Sequence, residues 1–188
     1  MKNDKEKWNQ RYSTQEYPDE VSKIVDKYYS LAKIGTALDI AAGNGRNSTF
    51  LTSKGFKVDA VDFSDFALKL TEKKNRKIKV FDEDLDFYRL KTNTYDLIIN
   101  INFLQRRLFP QIQDALKKGG VLIFETFLED KTKANDDSVK KDHYLKRNEL
   151  LHSFLNMHVI FYEEKQVMAP IGELRDVASL IAIKKADV

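Results

Sequence analysis

The chain of 188 residues has no cysteine, only three prolines and only seven glycines. Without thiols it cannot form disulfides, thiolate metal sites or a cysteine nucleophile. No apolar run approaches the roughly 20 residues that cross a bilayer. The charged, polar segment 1–10 also lacks the apolar core of a secretory signal. We therefore expect a cytoplasmic protein with no membrane partner.

Strong charge of one sign is also missing. The formal net charge is +3, too small to indicate nucleic-acid binding by itself. The densest basic run, residues 73–79, could bind phosphate, but a solvated helix end is the favoured interpretation. The three histidines, His143, His152 and His158, lack the spacing of a metal site, so no metal is expected.

Hydrophobic periodicity predicts alternating strands and helices. The expected strands are 36–40, 57–61, 78–81, 96–101 and 121–125, followed by a hairpin of 158–163 with 178–184. The expected helices are an N-terminal cap within 1–34 and the segments 45–54, 65–74 and 107–117. Ser64 is expected to cap a helix start, and Gly55 and Gly119–Gly120 to follow helix ends.

This order predicts an α/β fold: a doubly wound, mostly parallel, seven-stranded sheet with an antiparallel last strand. The length favours one domain over residues 1–188. The polar segment 128–147 is long for a plain connection, so it is either a substrate loop or lid, or an idle surface loop.

The most informative stretch is residues 37–47. Apolar residues lead into Asp39, and a loop of small residues containing Gly43 and Gly45 then opens a helix. Asp62 follows Gly43 by 19 residues, at the end of the second predicted strand. An acid about 20 residues after the loop binds ribose hydroxyls in α/β nucleotide sites.

Two ligands suit this pattern. A dinucleotide would lay its pyrophosphate over the helix start, but Ser48 interrupts the G-x-G-x-x-G fingerprint and Asp39 would repel phosphate. S-adenosylmethionine carries an ammonium and a sulfonium instead of phosphates, so a nearby acid attracts it. The residues therefore favour S-adenosylmethionine.

Five stretches resemble, in order, motifs of class I S-adenosylmethionine-dependent methyltransferases. They are residues 38–45, 61–64, 82–85, 95–100 and 116–122. Two positions depart from the pattern, since Ala41 replaces the first glycine and Lys118 the usual proline. Alanine is tolerated at position 41 unless its φ is positive. The resemblance implies a Rossmann-like methyltransferase.

A finer resemblance concerns the acceptor. Trp8-Asn9-Gln10-Arg11-Tyr12 is similar to the W-[DN]-x-R-Y element of tellurite-resistance-like and thiopurine-like small-molecule methyltransferases. Gly43-Asn44-Gly45-Arg46-Asn47 matches the G-x-G-R-N form of the first branch. This resemblance implies a small-molecule acceptor, without establishing tellurite chemistry.

The resemblance also implies cofactor contacts. They are Trp8, Arg11, Tyr12, Asp39, Ala41, Gly43, Asp62, Phe63, Asp84, Leu85 and Asn100. The methionine end would lie near Asp39, the loop amides and Asn100, with Arg11 at its carboxylate. Trp8 and Tyr12 would cover it, although Trp8 could instead simply anchor the first helix.

The same resemblance assigns the adenosine end. Asp62 would bind the ribose and Phe63 would face the adenine, although Phe63 could equally be a core residue. Asp84 would accept from the adenine amino group, and the Leu85 amide would donate to the ring.

The acceptor side is less defined. Methyl transfer is an in-line displacement that needs alignment and exclusion of water, with a general base only for a protonated acceptor. The weak candidates by position are Asn102, Arg106, Glu125, His143 and Tyr144. Two alternatives stay open: an RNA- or protein-modifying enzyme that docks through 73–79 or Arg106–Arg107, and a non-catalytic cofactor-binding partner subunit.

Overall fold

The computed structural model describes residues 2–15, 17–129, 141–168 and 174–186. The strands are β1 (Thr36–Ile40), β2 (Lys57–Asp62), β3 (Lys79–Asp82), β4 (Tyr95–Ile101), β5 (Leu116–Phe127), β6 (His158–Met168) and β7 (Leu174–Ile183). The α-helices are α1 (Lys2–Thr14), α2 (Lys23–Tyr28), α3 (Arg46–Ser53), α4 (Asp65–Lys74), α5 (Leu108–Ala115) and α6 (Glu149–Ser153). Short 3₁₀ turns occupy Tyr29–Leu31 and Lys141–His143.

All seven strands form one sheet in the order β3-β2-β1-β4-β5-β7-β6. Neighbours from β3 to β5 pair in parallel, and β7 runs antiparallel to both β5 and β6. The predicted doubly wound sheet with a reversed last strand is therefore confirmed. The reversed strand lies inside the sheet, between β5 and β6.

Apolar side chains cover both faces of the sheet. In β4, Ile98 packs in one cluster with helices α5 and α6, whereas Leu97 and Ile99 pack in the other with α2 and α3. All three side chains are fully buried. This explains why β4 is apolar throughout rather than alternating, as expected of a parallel strand covered on both sides.

Several boundaries differ from the prediction. The N-terminal cap is two helices with residues 15–22 between them, and the short helix α6 was not predicted. Helix α5 ends at Ala115, and Gly119–Gly120 lie within β5. Pairing jumps there from Tyr95–Leu116 to Leu97–Val121, so the glycines form a bulge instead of following a helix end. Most of the proposed lid, residues 130–140, lies outside the described residues.

The carboxyl ends of β1 to β5 share one edge of the sheet. The chain order reverses between β1 and β4, and in open α/β sheets ligands bind in the crevice at such a switch point. The sequence-predicted cofactor residues that follow strands therefore gather along this edge. In the described part of the chain, no helix has the length and apolarity to span a membrane.

Candidate functional site

The loop after β1 has an unusual backbone. Ala41, Gly43 and Gly45 have φ values of 55°, 56° and 73°. A left-handed alanine costs about 1–2 kcal/mol, so the departure from glycine at position 41 leaves strain in the loop. The Ala42 amide donates to the Val61 carbonyl at 3.1 Å, which ties the loop to the end of β2.

Both loop glycines are tightly packed. A Cβ on Gly45 would lie 2.5 Å from the Thr71 side chain, and a Cβ on Gly43 would collide with the Tyr12 hydroxyl. Thr71 also donates to the Gly43 carbonyl at 3.1 Å. The backbone of Gly43 is thus covered by Tyr12 from α1, and a ligand that reaches this loop must share the space with that phenol.

Asp39 lies beneath the loop and is 1% exposed. Its carboxylate accepts a 2.6 Å hydrogen bond from the fully buried Ser48 hydroxyl. Burial raises the pKa of Asp39 to about 7, although the Ser48 bond opposes the shift. Ser48 therefore does more than interrupt a dinucleotide fingerprint. It is the hydrogen-bond partner of Asp39, a pairing that no local sequence signal could reveal.

Asp62 is 5% exposed at the end of β2. Its Oδ2 accepts from the Gly43 amide and its Oδ1 from the Ser64 amide, both at 2.9 Å. Burial raises the pKa of Asp62, and these amide bonds act against the rise. The carboxylate therefore joins the loop after β1 to the segment after β2. The sequence alone does not predict this structural role. A carboxylate has about four acceptor positions, so Asp62 can accept a further donor.

Helix α1 is fastened across this edge by polar contacts. The Ser64 hydroxyl donates to Asn9 Oδ1 at 2.6 Å, and Asn9 Nδ2 donates to Asp65 at 2.7 Å. Lys5 pairs with Asp82 at 2.7 Å. The N-terminal motif predicts no role for Asn9, and in the structure this residue joins α1 to the start of α4.

Three aromatic residues on and just after α1 lie in a row. Tyr12 stands 4.5 Å from Tyr17 and 6.0 Å from Trp8, measured between ring centroids. The Arg11 guanidinium lies 5.0 Å from the Trp8 ring centroid. Burial, followed by the negative charge of Asp62, raises the pKa of Tyr12, so this phenol stays protonated. The structure brings Tyr12 to the loop and orients Arg11 over Trp8.

The predicted adenine contacts lie on the next loop. Phe63 is half-buried, Leu85 is buried, and Asp84 Oδ1 accepts from the Asp86 amide at 2.9 Å. The Leu85 carbonyl accepts from Arg107. The sequence suggests Arg107 only as part of a docking surface and gives no sign of this contact.

At the tip of β4, Asn100 is 1% exposed and donates to the Phe103 carbonyl at 2.7 Å. Asn102 follows with φ of 59°, exposed to solvent. Asn100 thus shapes the turn that leaves the central strand, at the same edge as Asp39 and Asp62.

The acceptor-side candidates are dispersed. Arg106 forms a bidentate ion pair with Glu149 and donates to the carbonyls of Asp142 and Tyr144 at 2.8 Å. His143 is exposed beside them. On the other face, Glu125 accepts from Ser179 at 2.6 Å. The structure therefore joins Arg106 to the 142–149 segment and leaves Glu125 apart.

Arg46 adds a cation to this edge. Asp39, Tyr12 and Glu125 act electrostatically on its guanidinium, and burial lowers its pKa. Two buried carboxylates beside a left-handed loop form a site suited to a cationic ligand with hydroxyl groups. Within the described ranges, no cluster of three or more histidine and acidic side chains could hold a metal ion.

Comparisons with known proteins identify the family. A family model described as "Methyltransferase domain" matches residues 9–171. No curated protein matches the sequence.

Solved structures share the fold. TehB from Haemophilus influenzae has a TM-score of 0.74 at 19% identity, covering 96% of this chain and 67% of its own. A protein from Methanosarcina mazei described as a SAM-dependent methyltransferase has a TM-score of 0.71 at 19% identity. The match covers 89% of this chain and 100% of that protein. Geranyl diphosphate C-methyltransferase from Streptomyces coelicolor A3(2) has a TM-score of 0.69 at 12% identity. The match covers 86% of this chain and 76% of that enzyme.

Identities this low show a shared fold, whereas the family match spans most of the sequence. The enzyme class predicted from the sequence is confirmed. The chain belongs to the methyltransferase-domain family.

Proposed function

We propose that this chain transfers a methyl group from S-adenosylmethionine to a small-molecule acceptor, acting as one domain. The observation that carries the proposal is the pair of buried carboxylates, Asp39 and Asp62, under a left-handed loop at the switch point of the sheet. Burying acids is unfavourable unless they are compensated. The Ser48 hydroxyl and the Gly43 and Ser64 amides compensate them in part, and a ligand with an ammonium and a sulfonium would compensate them further.

The residues present fit this cofactor. Asp39 lies beneath the loop where the cationic methionine end would rest, and Asp62 has lone pairs free for ribose hydroxyls. Asp84 and the Leu85 amide form an acceptor–donor pair that complements the adenine edge. The neighbour from Streptomyces coelicolor A3(2) was solved with S-adenosylhomocysteine, which supports the same cofactor class here.

The cofactor would supply an activated methyl group on a sulfonium. The chain would align the acceptor and exclude water. Helix α1 covers one side of the edge through Asn9 and Tyr12, while the 142–149 segment borders the other side through Arg106. An edge bordered on two sides by these segments favours a small molecule over a macromolecule.

The rival macromolecular substrates receive less support. Arg106 and Arg107, one proposed docking surface, are both engaged in intramolecular hydrogen bonds. The other proposed docking surface is residues 73–79, at and after the end of α4, where Lys74 pairs with Asp19. This ion pair supports the interpretation of a solvated helix end.

The test is release of S-adenosylhomocysteine from wild-type protein with panels of small thiols, amines, phenols and oxyanions. Parallel samples contain total RNA or unfolded protein. We expect turnover with a class of small molecules and loss of turnover in Asp62→Asn. Turnover only with RNA or protein would contradict the acceptor class. Tight cofactor binding without turnover in every sample would instead indicate a partner subunit.

A further inference from the structure

Two consecutive arginines in the segment between β4 and α5 form hydrogen bonds with two different parts of the chain. Arg106 reaches the segment that precedes and begins α6. Arg107 reaches the loop between β3 and β4. Its Nε and Nη2 donate to the Leu85 carbonyl at 3.1 and 2.6 Å, and Nη2 also donates to the Tyr88 carbonyl at 2.7 Å. One planar guanidinium thus holds two carbonyls of one loop.

The Leu85 carbonyl belongs to the peptide group whose amide is that of Asp86. That amide donates to Asp84 Oδ1 at 2.9 Å. A peptide group is planar. Arg107, which binds its oxygen, and Asp84, which binds its N–H, therefore both fix the orientation of the Leu85–Asp86 peptide plane. The orientation of the Asp84 carboxylate is therefore linked to Arg107.

The loop has little other regular structure to fix it. Residues 83–94 connect β3 to β4 without an α-helix. The Glu83 amide donates to the Asp62 carbonyl at 3.0 Å, which secures its beginning, and the Gln105 side chain contacts Asp86. In the middle of the loop, the Phe87 and Tyr88 amides donate to the Asp84 carbonyl at 2.9 and 2.8 Å. Arg107 adds side-chain donors from outside the loop to the Leu85 and Tyr88 carbonyls.

We propose that Arg107 is a positioning residue for base recognition, which aims the Asp84 carboxylate at the adenine edge beside the Leu85 amide. The inference rests on the proposed cofactor site. Adenine presents an amino donor beside the N1 acceptor, which matches a carboxylate acceptor beside an amide donor. Hypoxanthine presents a carbonyl and an N1–H donor, the reverse pattern, so a correctly aimed pair rejects it.

The experiment compares calorimetric affinities for S-adenosylhomocysteine and S-inosylhomocysteine. The variant is Arg107→Lys, which keeps the charge but cannot fork between two carbonyls. We expect about a tenfold loss of affinity for the adenine ligand, equivalent to one hydrogen bond to a charged group. The preference for adenine over hypoxanthine should fall by a similar factor.

Two control variants distinguish an effect on the orientation of Asp84 from an effect on stability. Arg89→Lys changes an exposed arginine of the same loop and should leave both affinities unchanged. Arg106→Lys breaks a comparable network on the other side, so it should lower the melting temperature without changing the base preference. Arg107→Gln, which keeps one donor group, replaces Arg107→Lys if the lysine variant does not fold.

The outcomes are distinct. A base preference that falls only in the Arg107 variants supports the inference. An unchanged preference in a folded Arg107 variant, even with a lower melting temperature, overturns it and leaves the proposed function intact. Wild-type protein that binds neither ligand overturns the proposed function, and this inference with it.

Discussion

Asp39→Asn isolates the buried carboxylate beneath the β1 loop. The substitution keeps the shape of the side chain and a partner for Ser48, but removes the ionisable group. In the folded protein the pKa of Asp39 is about 7, against 3.8 for an ordinary aspartate. The folded state therefore holds this proton more tightly than the unfolded chain.

The sign of the effect follows from linkage. The stability that Asp39 contributes is fully present below about pH 4 and is lost as the pH rises to 7, where the folded carboxyl ionises. Between pH 5 and pH 8, this loss takes place over roughly two pH units, from pH 5 to the folded pKa of about 7. At 1.36 kcal/mol per unit, that is about 2–3 kcal/mol.

Urea unfolding of wild type and Asp39→Asn at pH 5, 6, 7 and 8 measures this directly. The stability of the variant relative to wild type should rise by that amount from pH 5 to pH 8 and then level off. Groups that do not act on Asp39, such as Asp65 with its lowered pKa, titrate in both proteins and cancel. A difference that is flat or falls with pH would refute a raised pKa for Asp39.

The same substitution tests the ligand. A bound cation favours the ionised form of Asp39, so wild-type affinity for S-adenosylmethionine should increase between pH 5 and pH 7. Asp39→Asn should bind more weakly at pH 7.5 and lose this pH dependence. An Asp39→Asn protein with wild-type affinity and pH dependence would remove this carboxylate from the site.

Three further predictions concern the edge of the sheet. Asp62→Asn should weaken S-adenosylmethionine binding by about 1.5–3 kcal/mol for each charge-assisted bond lost, and unchanged calorimetric affinity would exclude Asp62 from the ribose site. Gly45→Ala should lower the free energy of unfolding by about 2–4 kcal/mol because strain adds to the clash with Thr71. Gly119→Ala, at a similar φ with nothing within 4 Å, is its control, and equal losses in the two would mean that the clash contributes nothing. Trp8 fluorescence should shift saturably with S-adenosylmethionine if α1 closes on the ligand, whereas a helix anchor predicts no response and a lower melting temperature for Trp8→Ala.

Features fixed by short-range patterns could be predicted from the sequence. The first strand has the predicted bounds, 36–40. Ser64 caps α4 by accepting from the Ala67 amide, and Gly55 follows α3 with a φ of 96°. In each case the deciding interactions lie within a few residues, so local residue choice carries the information.

Features fixed by contacts between residues distant in sequence could not be predicted from the sequence. Gly119–Gly120 resemble the end of a helix, but pairing with β4 and Lys184 draws them into a bulge of β5. The position of Asp62 was predictable from its spacing, whereas its bonds to the Gly43 and Ser64 amides required the tertiary fold. Arg107 is 22 residues from Leu85, and no periodic pattern marks such a pair.

Whether the carboxyl edge of the sheet binds S-adenosylmethionine is tested most directly by calorimetric titration of the wild-type protein. S-adenosylhomocysteine and NAD are titrated at the same concentrations. Buried Asp39 under the loop predicts saturable one-to-one binding of S-adenosylhomocysteine, with NAD binding far more weakly. Tighter binding of NAD, or no saturable binding of S-adenosylhomocysteine, would contradict the proposed function.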